Sequence, residues 1–457
     1  MRPTSIAKIA EVIGAKVLGS GDLAVQITGI NTDSRSIANG QCFVAIAGKN
    51  FDGHEYIAGT LAAGAACAIS GRSIQPDRGI VLQVADPITA MGDLARWYRL
   101  SLPTKVVSIT GSAGKTSTRE IVAHVLASQM TVHCAQKSFN NNIGLPLTLL
   151  GAEDHHKVII TELGTNAPGE ISHLTKIAMP DIALITNIHP AHLEGFGSVD
   201  GIVQEKSSIA EGLRPGGVFW INGDFANLRG YCDRKGLSYR TFGFSDGCEI
   251  RGVDPQADET GGSVTLDGVR IRVPLVGRAN LANCIAAWAI CRQLGLTIRQ
   301  FADAVAGIKP VAMRLQVQIV GPIRLINDCY NANPGSMANA LDYLRTFATG
   351  RRVFVCGSMA ELGPDSPAFH RQLGEHAAAA GVKVLLASGP FATEVIDATA
   401  GTIATAQAFA TTQELVDSLR RFVRPADIVL VKGSRSAKLE SAVDALKAIF
   451  SPSGTSV

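Results

Sequence analysis

From residue 105 onward the apolar positions come in short unbroken runs. KVVSIT (105–110), KVIITELG (157–164), DIALITNI (181–188) and GVFWIN (217–222) are apolar at successive positions, the pattern of strands buried on both faces of a parallel sheet. Between them the period lengthens. Over 116–128, Ile121, Val122, Val125 and Leu126 share one stripe, which predicts a helix. Val199, Ile202, Val203, Ala210 and Leu213 mark another helical face, and NLANCIAAWAICRQLG (280–295) reads as a buried helix. Residues 243–275 break the rhythm with a Gly- and Asp-rich stretch that predicts hairpins. The alternation returns in IRLINDCY, RRVFVCG, VKVLLAS and DIVLVKG, each followed by a helical segment. Ahead of all this, residues up to about 103 mix short strands and turns with a helix-like HEYIAGTLAAGAACAIS (54–70), and Pro103 breaks a preceding helix.

The expected fold is α/β in three domains. Residues 1–103 form a small mixed domain and 104–311 a central parallel-sheet domain with a phosphate loop. Residues 312–457 form a second, Rossmann-like α/β unit. The tail SPSGTSV (451–457) reads as disordered.

Composition adds exclusions. The chain has 457 residues, too many for one core, with 46% hydrophobic and 18% charged positions and a net charge of +3. No like-charge block suggests nucleic acid or a membrane surface. The start, MRPTSIAKIAEVIG, lacks an apolar core of signal-peptide length, and no run of eighteen apolar residues occurs. Nine cysteines without a C-x-x-C pair read as reduced thiols. The expectation is a cytoplasmic monomer.

The chemistry begins at ITGSAGKTST (109–118), between a strand and a helix. Gly111 and Gly114 permit the tight turn in which the N–H groups of Ser112, Ala113, Lys115, Thr116 and Ser117 converge on phosphate oxygens. The helix N-terminus favours an anion, Lys115 adds a positive charge, and the Thr116 hydroxyl suits Mg²⁺. Glu162 ends an apolar strand, where ligands gather in open α/β sheets, and its carboxylate suits the same metal. In TNIHPAHLEGFGS, His189 and His192 suit either a metal or a polar turn. Lys206 falls on an apolar helical stripe, where a lysine ordinarily snorkels to the surface. Asp33, Ser34 and Arg35 form a polar turn with an arginine suited to phosphate. NDCYNANPGSM (327–337), which includes Asn331, is a capped turn, and Lys432, Ser434 and Arg435 precede a helix.

The short G-x-x-G-K-T loop resembles that of the Mur ligases and folylpolyglutamate synthases, a superfamily of ATP-dependent amide-forming enzymes. AHLEGFGS, VGRANLANCIAA, NDCYNANPGSM, GSMAELG (357–363) and TDSRSIANGQCFVAIAGKNFDGH resemble Mur ligase segments, so the likeness runs from about residue 25 to 441. It implies ATP and Mg²⁺, with Thr116, Glu162, His192 and Lys206 as metal ligands and Lys206 carbamylated. It makes Lys115, Lys206 and His192 the catalytic set. It places Asn280, Asn283, Arg314 and Asp328 on the nucleotide, although Ala279 and Ser358 depart from the family's histidine and aspartate. Asp33, Ser34 and Arg35 would hold a uridine diphosphate, and Asn331, Lys432, Ser434 and Arg435 the amine substrate. D-x-Y-N-A-N-P resembles the branch whose substrates are UDP-N-acetylmuramoyl-tripeptide and D-alanyl-D-alanine, joined through an acyl phosphate. Two rivals are the sister ligase that adds the third amino acid, whose Asp-Asn-Pro-Arg motif this chain lacks, and a nucleotide-binding regulator without catalysis.

Overall fold

The computed structural model describes every residue except 49, 136–138, 400 and 452–457; the disorder expected of the tail therefore falls almost wholly outside the described residues. Three main sheets carry the chain, one in each of three α/β domains.

The apolar runs of the central domain become a seven-stranded, wholly parallel sheet. Its spatial order is Ile250–Arg251, Arg240–Gly243, Val218–Asn222, Ile182–Ile185, Lys105–Thr110, Val158–Glu162 and Val132–Cys134. Val107, Ile109, Ile159, Ile160, Leu184 and Ile221 are fully buried, each stabilising by about 1.5–3 kcal/mol relative to exposure. From Lys105–Thr110 the chain fills one side of the sheet, then returns to the other at Ile182–Ile185. The loop after Lys105–Thr110 thus opens where the winding reverses, the place an α/β sheet offers a ligand. The helix Lys115–Ala127 and the buried helix Arg278–Gln293 pack together on one face. The expected hairpins are a three-stranded antiparallel sheet, Val253–Asp258, Gly261–Leu266 and Val269–Val273.

The C-terminal domain has a six-stranded sheet in the order Gln316–Val320, Ile323–Asn327, Asp427–Lys432, Arg351–Gly357, Val384–Ser388 and Thr405–Phe409. Only the first pair is antiparallel. The N-terminal domain has a five-stranded sheet built from residues 16–83. There the helix expected over 54–70 is corrected. A 3₁₀ turn, Gly53–Tyr56, leads into a short helix, Ile57–Ala62, and Cys67–Ser70 is a buried parallel strand. Gly64, at φ +107°, ends the helical path, and CAIS is buried at every position, as a central strand requires.

Arg99 ties this domain to the next. Fully buried, it pairs with Asp181 at 2.7 Å and donates to the carbonyls of Thr104 and Ala178. All nine cysteines are free thiols. Among the described residues no helix is long and apolar enough to cross a membrane.

Candidate active site

The phosphate loop is held in shape from behind. A Cβ on Gly111 (φ +149°) would lie 1.9 Å from the Thr186 hydroxyl, and one on Gly114 (φ +79°) 2.4 Å from Asn283 Oδ1. Neither position accepts a side chain. Ser112 N–H donates to the Asn187 carbonyl at 3.1 Å and Ala113 N–H to Asn187 Oδ1 at 2.8 Å. The Thr186 hydroxyl donates to the Ala113 carbonyl at 2.6 Å. With these bonds spent on the scaffold, the open donors are those of the first helical turn, Lys115 to Ser117, which lack intrahelical acceptors. Lys115 Nζ donates to the Gly111 carbonyl at 2.8 Å. Burial holds its pKa below the ordinary lysine value; Glu162 opposes that shift and Arg314 adds to it.

Next to the loop is a corner of hard oxygens. Thr116 Oγ1 donates to Glu162 Oε2 at 2.8 Å, and Asn140 Nδ2 donates to Glu162 Oε1 at 3.1 Å. Glu162 is only 2% exposed, so it is no solvated strand end. Arg119 approaches the same carboxylate at 3.5 Å. A hydroxyl and a carboxylate at this spacing fit Mg²⁺. Among the described residues no three His, Cys, Asp or Glu side chains converge as a metal cage, so further oxygens must come from phosphate, water or a modified side chain.

Lys206 does not snorkel. It ends the helix Val199–Ser207 at 3% exposure, beside the cavity rather than in its lining. Burial, with the charge of Lys115 acting in the same direction, brings its pKa down to about 7. The preceding Glu205 anchors this helix, accepting from Gly169 N–H at 2.7 Å, Ile171 N–H at 2.8 Å and the Thr165 hydroxyl at 3.1 Å. His192 lines the cavity in the left-handed region (φ +55°), its Nδ1 against the Glu361 carboxylate. Burial lowers its pKa, and Glu361 opposes the shift. His189 is a packing residue, set edge-on to Phe225 and against Gly335.

The C-terminal domain closes the far side. Arg314 stacks over Tyr330 at 4.1 Å and donates to Thr116 Oγ1 at 2.9 Å. Asp328 accepts from Leu315 N–H at 3.0 Å and pairs with Lys432 at 2.6 Å, while Lys432 also donates to the Asn331 carbonyl. Asn333 Nδ2 donates to the Ser112 carbonyl at 3.2 Å, bridging the two domains at the loop itself. The helix Pro334–Arg345 starts there because Asn333 and Ser336 form a capping box ahead of Pro334. Asn280 and Asn283 are buried in a chain from Val276 O to Thr118. Together these walls enclose a cavity of about 710 Å³.

Its lining gathers Ser112 through Ser117, Glu162, His192, Asn280, Asn283, Arg314, Asp328, Asn331 and Lys432. Other expected residues lie elsewhere. Asp33, Ser34 and Arg35 are outside it, in the N-terminal domain. Arg35 is 88% exposed and forms a two-pronged pair with Asp33 at 2.8 and 2.9 Å. Its guanidinium holds the Asp33 carboxyl down to about 2. The anion site expected at residues 432–435 divides. Lys432 is engaged by Asp328, Arg435 pairs with Glu440, and Ser434 faces a second cavity of about 520 Å³ with Ser358 and Glu361. The sequence reading missed Asn140, Thr186, Asn187, Arg119, Asn333 and Glu361. Thr186 and Asn187 had a signal, two polar residues directly after a buried strand; the others are set by tertiary approach.

Family models described as Mur ligase family, catalytic domain; Mur ligase middle domain; and Mur ligase, glutamate ligase domain match residues 26–99, 109–291 and 313–435. UDP-N-acetylmuramoyl-tripeptide–D-alanyl-D-alanine ligase of Haemophilus influenzae is 32% identical, over 97% of this chain and 98% of its own. A crystal structure of MurF from Acinetobacter baumannii superposes with a TM-score of 0.89 at 28% identity, covering 98% and 99% of the two chains. MurF ligase from Thermotoga maritima in complex with ADP gives 0.83 at 27% identity, covering 92% and 97%. The chain belongs to the Mur ligase family.

Proposed function

We propose that this protein joins D-alanyl-D-alanine to UDP-N-acetylmuramoyl-tripeptide at the expense of ATP, giving the UDP-linked pentapeptide, ADP and phosphate for peptidoglycan synthesis. The observation that carries the reading is the 710 Å³ cavity: a phosphate loop from the central domain faces Asp328, Asn331 and Lys432 of the C-terminal domain, within a chain collinear with relatives of that name.

A carboxylate is a poor electrophile, so its oxygen is first phosphorylated. The tripeptide carboxylate attacks the γ-phosphorus and ADP departs. The dipeptide amine then attacks the acyl carbon, loses a proton, and phosphate leaves. Lys115 and the N–H groups of the first helical turn offset charge on the transferred phosphoryl group. Glu162, Thr116, His192 and a carbamylated Lys206 would hold Mg²⁺, which would supply positive charge against the developing phosphate charge when bound. A carbamate requires a neutral amine, and burial, by lowering the Lys206 pKa to about 7, raises the neutral fraction at neutral pH. Asn280 and Asn283 line the nucleotide side and Arg314 spans to it. Asp33, Ser34 and Arg35 take the uridine diphosphate, and Asn331, Lys432, Ser434 and Arg435 border the dipeptide. We assign the domains to 1–103, 104–311 and 312–457, and the protein to the cytoplasm as a monomer.

Phosphate release measured with each substrate omitted tests the function. Release requires both UDP-tripeptide and D-alanyl-D-alanine. Turnover with a free third amino acid and UDP-dipeptide instead would favour the sister ligase, and no turnover with any pair would favour a regulator.

A further inference from the structure

His192 is held in place from the other domain. It precedes the short helix Leu193–Phe196 in a left-handed conformation that side-chain-bearing residues rarely adopt, and its Nδ1 meets the carboxylate of Glu361. Glu361 is itself left-handed, at φ +61°. A backbone bond closes the pair: Glu194 N–H donates to the Glu361 carbonyl at 3.1 Å. Two unusual backbone conformations, one on each domain, therefore meet at a single side-chain contact. His192 lines the phosphate cavity and Glu361 lines the neighbouring one.

A carboxylate only accepts, so the neutral imidazole must give it the Nδ1 proton, and its Nε2 is left with a free lone pair. Hydrogen-bonded carboxylates orient metal-binding histidines in this way, setting both tautomer and ring direction. We propose that Glu361 is a positioning residue for His192, supplied across the domain interface, so that the direction of a central-domain ligand is set by a C-terminal-domain carboxylate. The proposal rests on the reading of His192 as a metal ligand. It places the carboxylate responsible on the rim of the second cavity. An occupant there would touch the same side chain that orients His192.

The test uses full-length enzyme with ¹⁵N-labelled histidine, as wild type, Glu361→Gln and Glu361→Ala, with His192→Ala to assign the signal. The Glu361 side chain is 49% exposed, so replacement does not threaten the core; circular dichroism and a thermal melt verify that. The expected spectra show His192 as the Nδ1–H tautomer in wild type and in Glu361→Gln, whose amide oxygen still accepts, with Nε2–H gaining in Glu361→Ala. Mn²⁺ binding in the presence of a non-hydrolysable ATP analogue gives the second readout. Glu361→Ala should weaken it by about tenfold or more and Glu361→Gln by much less. An unchanged tautomer in Glu361→Ala, or equal losses in the two variants, overturns the proposal. Unchanged Mn²⁺ affinity in His192→Ala would instead overturn the ligand reading, and the tautomer alone would then decide whether Glu361 positions the ring.

Discussion

Lys206 shows how much burial changes a side chain. On an apolar helical stripe a lysine ordinarily reaches for water, yet here it is 3% exposed, with a pKa near 7 against an ordinary 10.5. The consequence for stability has a definite sign. Between about pH 7 and 10.5 the unfolded chain holds a proton that the folded chain lacks, so stability from this group rises with pH across that window. Below pH 7 both states are protonated and the cost of the buried charge is full. In CO₂-free buffer, urea unfolding of the wild type should show this rise, and Lys206→Met should lack that component. Supplied with ¹³C-bicarbonate, the wild type should give a carbamate carbon signal that Lys206→Ala loses together with nearly all activity. A short carboxylic acid should restore part of it. An unmodified Lys206 in fully active enzyme would remove the carbamate from the account while leaving the ligase reading in place.

The phosphate loop is an element whose shape depends on two glycines and on the strand end behind it. Because Thr186 and Asn187 fix the loop, Lys115→Ala should remain folded while losing activity by on the order of 10²-fold or more. Near-normal turnover would remove the loop from the mechanism. The loop, its strand and its helix were legible because local signals coincide there: an unbroken apolar run, two glycines and a 3.6-residue stripe. The segment 54–70 was misread because AACAIS carries high apolar content without a periodicity that separates helix from buried strand. Cys67–Ser70 is a strand because both neighbouring strands lie against it. Glu162 and Lys206 were legible as positions but not as environments, since their burial comes from elements distant in sequence. Glu361 and Asn333 escaped notice for the same reason: each acts on a domain other than its own.

Across the whole molecule, the candidate site residues fall at two cavities and an exposed turn. Arg35 stands apart from the phosphate cavity, held by Asp33 in a solvated pair that contributes little to stability. Arg35→Ala should therefore leave the fold intact, raise the apparent KM for UDP-tripeptide and leave that for D-alanyl-D-alanine nearly unchanged. Equal effects on both would move the uridine diphosphate away from this turn. The central claim is that the tripeptide carboxylate is phosphorylated before the amine attacks. Tracing ¹⁸O from a labelled tripeptide carboxylate tests it most directly. The account predicts one labelled oxygen in the released phosphate for each amide formed, and phosphate carrying none of that label would contradict it.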